Sequence, residues 1–305
     1  MLMKLNIDGT RSQGDPYVIK ANGAYYMYAT HVEGVQLYKS LDKLNWEYLG
    51  FCFVKEGEKE YWAPAVTEVD GKFYLYYSAM LNESDDVHTQ RICVAVSDTP
   101  EGPFTFVKEL LAPFSIDAHV VESGGQLYMY YSVNDDKAER AGTLIVVEKM
   151  LSPTEMAGNP VMAVRATLDE EIFMRDRFKK GQHWHTLEGA FYFEKDGWHY
   201  LMYSGNCYQN EKYYIGYAVA KSVEKDLTKL TFKKYPNEDT YYPLLCKNEF
   251  EEGTGHHSVL EEDGKYYLFY HGREKGVNTQ TDKDTRTARL CEIVAKDGVL
   301  EVVKR

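Results

Sequence analysis

Five segments of the chain repeat one shape. "GAYYMYAT" begins at Gly23, "GKFYLYYSA" at Gly71, "GQLYMYYSV" at Gly125, "GWHYLMYSG" at Gly197 and "GKYYLFYHG" at Gly264. Each is a turn glycine followed by tyrosine, phenylalanine and aliphatic residues, the composition of a buried strand. A short apolar strand precedes each glycine: "PYVIKANG", "PAVTEVDG", "AHVVESGG", "AFYFEKDG" and "HSVLEEDG". The Asn-Gly, Asp-Gly and Gly-Gly pairs between the strands signal hairpin turns, because glycine accepts positive φ without steric cost. The chain thus predicts five antiparallel hairpins, with starts 48, 54, 72 and 67 residues apart.

Further strands are expected between the hairpins, at residues 34–40, 91–98, 142–150 and 213–222, while helical patterning is scarce. Four strands per unit and five units describe an all-β chain folded as a five-bladed β-propeller. The unequal spacing reads as loop insertions between blades. No linker divides the sequence, so residues 1–305 are expected to form a single domain. A β-sandwich of hairpins is the plainer alternative.

Composition narrows the partners. A net charge of −12 argues against nucleic acid, which needs clustered Lys and Arg. No stretch approaches the ~18 apolar residues of a membrane span, and the N-terminus lacks the apolar run of a signal peptide. The five cysteines are scattered and never form a C-x-x-C pair, which suits reduced thiols and a cytoplasmic protein.

The repeat also points to a site. In a propeller the inner strands start around the mouth of a central channel. Eight residues before the turn glycines stand Asp15, Ala63, Asp117, Gly189 and His256, with Trp62 and Glu188 one place earlier in the second and fourth units. Singly, each has an ordinary reading: Asp15-Pro16 as a turn, Asp117 and Glu188-Gly189 as surface residues, His256 as a hydrogen-bonded structural histidine. Three acids at one repeat position, where strand propensity disfavours them, instead suggest a shared axial site. Converging carboxylates suit glycoside hydrolysis, in which one acid protonates the leaving oxygen and another carboxylate acts from the opposite face. A third can raise the acid's pKa. Most of the 26 tyrosines read as core, whereas Trp62 and Trp184 are the expected sugar-stacking residues.

The blocks "GDPYVIKANGAYYMYAT", "YWAPAVTEVDGKFYLYYSA", "IDAHVVESGGQLYMYYS", "LEGAFYFEKDGWHYLMYSG" and "GTGHHSVLEEDGKYYLFYH" resemble the five blade openings of glycoside hydrolase family 43, from about Gly14 to Val294. The resemblance implies an inverting enzyme on a five-bladed propeller, a β-xylosidase, α-L-arabinofuranosidase or arabinanase. It implies Asp15 as general base, Asp117 as pKa modulator and Glu188 as general acid. It further implies His256 beside calcium or another cation, and a substrate-facing arginine in "TRTARLCEIVAKDG", Arg286 or alternatively Arg289. Two positions depart from the family pattern: Ala118 and Ala190 stand where proline is usual.

The chain ends soon after the fifth hairpin, which leaves no room for the C-terminal β-sandwich common among the β-xylosidases. The expectation is therefore an exo-acting α-L-arabinofuranosidase on short α-1,5-linked arabino-oligosaccharides, with β-xylosidase action on xylo-oligosaccharides as the alternative. Residues 80–90 and 173–186 are candidate loops for blocking one end of the cleft. The related β-fructosidase pattern fits poorly, since the only Arg-Asp lies in "FMRDRF", outside the repeat position. A propeller serving only as a binding platform would need no axial acids.

Overall fold

The computed structural model describes residues 3–276 and 286–303. Among these, helix is confined to three short 3-10 turns at Val87–Thr89, Asp169–Glu171 and Leu227–Lys229; the remaining regular structure is strand. The repeated segments are five antiparallel hairpins. They pair Gly14–Ala21 with Ala24–Thr30, Glu58–Val69 with Lys72–Leu81, Ile116–Ser123 with Gln126–Asp135, Trp184–Lys195 with Trp198–Gly205, and Glu251–Glu262 with Lys265–Glu274.

Both central residues of every hairpin turn have positive φ, from Asn22 and Gly23 (51° and 78°) to Asp263 and Gly264 (52° and 73°). That is the type I′ geometry, whose twist matches the strands it joins. It accounts for the Asn-Gly and Asp-Gly pairs in the sequence.

A third strand follows each hairpin, at Val35–Ser40, Arg91–Ser97, Gly142–Ser152, Tyr214–Lys221 and Thr287–Lys296. An outer strand completes each run, as short as Lys233–Lys234 in the fourth. The third and fourth runs share one ten-stranded sheet, joined by a short parallel pairing of Gly142 with His185 and Thr143 with Thr186. On the last run, Met3–Lys4 and Val299–Val302 both pair with Thr287–Lys296, so residues near both ends of the chain lie on one strand.

The first strands of the hairpins neighbour one another in cyclic order, the fifth lying beside the first. Five apolar clusters follow the same order, each shared by consecutive runs; the last joins Val18 and Met27 of the first to Phe269 and Leu290 of the fifth. The second strands are therefore covered on both faces, which is why they carry aromatic residues without polar alternation. Some of their buried phenols find carbonyl acceptors: Tyr28 donates to Pro100 O at 2.6 Å and Tyr76 to Pro153 O at 2.8 Å, whereas the Tyr130 hydroxyl has none among the described residues. All five cysteines are free, and no described helix is long and apolar enough to cross a membrane.

Candidate active site

One backbone irregularity recurs where each first strand begins. Asp15, Ala63, Asp117, Gly189 and His256 all have positive φ, between 41° and 62°. The hairpin register shifts at each of these points. Four of the five are not glycine, so the conformation is strained, and the neighbours must hold it. Such a bulge turns a side chain out of the sheet and takes its amide off the ladder.

Four of those amides are caught by the preceding run. Ala63 N donates to Thr30 Oγ1 at 2.8 Å and His256 N to Ser204 Oγ at 2.8 Å. Gly189 N donates to Asp117 Oδ2 at 3.0 Å, and Asp15 N to His271 Nδ1 at 3.1 Å. The last bond ties the fifth run to the first. Thr30, Ser204 and His271 each stand seven residues after their turn glycine, as do Ser78 and Ser132. This second repeat position, at the end of each aromatic run, was readable in the sequence and was missed.

The bulges surround a cavity of about 660 Å³ whose lining includes Asp15, Asp117, Glu188, Trp62, His256 and Arg286. Of the seven residues singled out from the sequence, those six meet here. Trp184 does not. It is buried, with Phe178 edge-on at 5.8 Å and the Arg177 guanidinium 4.5 Å from its ring. Four residues upstream of Glu188, it falls under the 173–186 loop instead of at the mouth. Trp62 is fixed by its indole N–H, which donates to Glu60 Oε2 at 2.9 Å. The other candidate arginine, Arg289, pairs with Glu251 at 3.0 Å and Glu274 at 3.3 Å and does not line the cavity. Loops 80–90 and 173–186 meet where Arg177 Nη2 lies 2.8 Å from His88 Nε2, yet neither lines the cavity.

The three acids sit in contrasting surroundings. Asp15 is bound by Arg286 Nη1, 3.0 and 3.2 Å from its two oxygens, and by Thr30 Oγ1 at 2.5 Å. Burial, the largest influence, opposes its charge, but Arg286, His256 and His271 outweigh it and hold the carboxyl well below the usual range. Burial also lowers both imidazoles, so at neutral pH the guanidinium is the dominant charge. Gly14 makes room for it: a Cβ there would lie 2.4 Å from Arg286 Cζ.

Glu188 and Asp117 move the other way. Burial, then the charge on Asp15, lifts Glu188 to about 7, against the opposing hydrogen bond from Tyr213. Burial, then Glu188 and Asp15, pushes Asp117 well up. Two buried carboxyls in mutual repulsion hold a proton as a pair near neutral pH. Each carboxyl accepts hydrogen bonds that favour its charge, Asp117 from Gly189 N and, at 3.5 Å, from Ser132 Oγ, and Glu188 from Tyr213.

Tyr213 donates to Glu188 Oε1 at 2.7 Å and stacks on His271, with centroids 5.6 Å apart. It was not singled out, because it stands just before a third strand, outside the repeat positions. Its signal is indirect: a Cβ on Gly255 would sit 2.0 Å from the Tyr213 ring. Among the described residues, no three His, Cys, Asp or Glu side chains gather as a metal shell. His256 offers one imidazole, 3.4 Å from Asp15 Oδ1, where direct calcium coordination asks for several oxygens. The side chains do not fit a directly held calcium.

A paired carboxylate facing buried acids in one cavity is the arrangement of a glycosidase, and residues 9–300 match the model of the glycosyl hydrolases family 43. The chain belongs to glycosyl hydrolase family 43. It is a glycoside hydrolase. It is 29% identical to the Xylosidase/arabinosidase 43A of Humicola insolens, over 81% of this chain and 76% of that one. It is 25% identical to the extracellular exo-α-(1→5)-L-arabinofuranosidase ArbA of Cellvibrio japonicus, over 87% and 80%. The crystal structure of a thermostable family-43 glycoside hydrolase superposes with a TM-score of 0.79 at 30% identity, covering 96% of this chain and 93% of that one.

Proposed function

We propose that this family-43 hydrolase is an inverting, exo-acting α-L-arabinofuranosidase that releases L-arabinose from short α-1,5-linked arabino-oligosaccharides, on a single five-bladed propeller domain. The observation that carries the mechanism is the electrostatic contrast between Asp15, charge-paired with Arg286, and the buried Asp117–Glu188 pair across the same cavity. Asp15, ionised, takes a proton from water. Glu188 donates its proton to the glycosidic oxygen as the bond breaks, and the pentose leaves with inverted anomeric configuration. Asp117 keeps that proton on Glu188 and, through Gly189 N, holds the backbone beside it. The cyclic order of hairpins and apolar clusters supports the five-bladed reading.

Exo action on short chains is supported by the site's size, a cavity in the volume range of small-molecule sites. The likeness to the Cellvibrio enzyme favours arabinose. The Humicola relative, named for both activities, favours a second reading, β-xylosidase action on xylo-oligosaccharides. Competition between arabinotriose and xylotriose, followed by chromatography of early products, separates them. Free arabinose first supports the proposal and xylose first the alternative; with arabinohexaose as substrate, early arabinobiose and arabinotriose ahead of arabinose would contradict exo attack.

A further inference from the structure

Arg273 lies outside the cavity, at the end of the second strand of the fifth hairpin, and is only 2% exposed. Its guanidinium donates from Nη1 to Tyr208 O at 2.8 Å and from Nη2 to Gln209 O at 3.2 Å, while Nε lies 3.5 Å from Glu252 Oε1. The backbone is shaped around this grip. Gly253, at φ 61°, leaves the space: a Cβ there would approach Arg273 Nη1 to 2.5 Å. Gly253 N also donates to Glu211 O at 3.3 Å, so the strand beside Arg273 is tied to the same loop of the fourth run.

That loop presents Tyr208 to the cavity. The Tyr208 ring lies against the Arg286 guanidinium, 4.3 Å from centroid to Cζ, and Nη1 of that guanidinium donates to Asp15. A planar cation between a ring face and a carboxylate is held in orientation by both. We propose that Arg273 is a positioning residue of the site: by gripping two successive carbonyls it fixes Tyr208, and Tyr208 fixes the Arg286 guanidinium against Asp15. Tyr208 is in turn a wall of the sugar-binding cavity. The inference rests on the glycosidase reading of Asp15.

The test is a double-mutant cycle on the full chain, with kcat and KM measured on p-nitrophenyl α-L-arabinofuranoside and β-D-xyloside, beside Asp15→Asn and thermal unfolding. Arg273→Met should lower kcat/KM about tenfold or more, with the larger part of the loss in kcat. In a Tyr208→Ala background the same substitution should add less than twofold, because the path through the ring is already cut. Arg273→Lys keeps the charge beside Glu252 but replaces the fork with one ammonium, so it should lose less, and that loss should also vanish without Tyr208. It keeps the cycle readable if the methionine variant fails to fold. Losses that multiply in the double variant, or a folded Arg273→Met with wild-type kcat/KM, would overturn the inference. A wild type that cleaves neither substrate would instead overturn the exo-acting reading of the proposed function, not the positioning role.

Discussion

At the scale of the residue, the site separates three carboxyls by their neighbours. Asp15 has Arg286 and stays charged; Glu188 and Asp117 have burial and the charge on Asp15. The mechanism needs Asp15 ionised and Glu188 protonated. The kcat/KM profile should therefore rise below the usual carboxylate range, stay level, and fall as pH passes about 7, where the acid loses its proton. Asp117→Asn removes the repelling charge, so the falling limb should move to lower pH; a limb that stays in place would deny Asp117 its role. Glu188→Gln should lower the rate by ~10²–10⁴. The same change has an opposite consequence for stability. An acid whose folded pKa is raised costs stability as pH climbs above its unfolded value, until the folded value is passed. Glu188→Gln should then stabilise the protein at pH 8 by on the order of 2 kcal/mol, read as a rise in Tm of a few degrees that shrinks at pH 4.

At the scale of the element, the strained bulge is what turns a strand-start residue into a site residue. Its cost is met by the amide bonds from the preceding run. Ser204→Ala leaves the buried His256 amide without its acceptor and should cost ~1–3 kcal/mol in chemical denaturation. Thr30→Ala loses both the bond from Ala63 N and the donor to Asp15, so stability and activity should fall together.

The sequence was informative where one local rule acted five times. The turn pairs had to supply positive φ, the tyrosine runs had to be buried on both faces, and the acids recurred eight residues before the glycine, or nine for Glu188. It was silent where contacts join distant segments. Tyr213 reaches Glu188 from the residue before a third strand, and Arg273 reaches the Tyr208 loop from another run. Nothing local marks either. Trp184 misled because proximity along the chain to Glu188 does not decide which side of a strand a loop covers.

At the scale of the whole molecule, the apolar clusters form a closed cycle, and the one between the last run and the first lies beneath Asp15 and its partners. That seam joins segments some 250 residues apart, Asp15 and His271 being separated by 256 positions. Phe269 is fully buried within it. Phe269→Ala should cost ~3–5 kcal/mol and lower the temperature at which activity is lost, with little change in the pH profile below that temperature. A variant with unchanged Tm would mean the seam contributes nothing to closure.

The central claim is a single displacement in which Glu188 gives a proton and Asp15 takes one. Proton NMR of the first minutes of hydrolysis, with wild type beside Glu188→Gln, tests it most directly, because it reads the anomer before mutarotation erases it. The account predicts that the released pentose appears first in the inverted configuration with wild type and is not released by the variant. First appearance of the retained anomer, or release by Glu188→Gln at the wild-type rate, would contradict it.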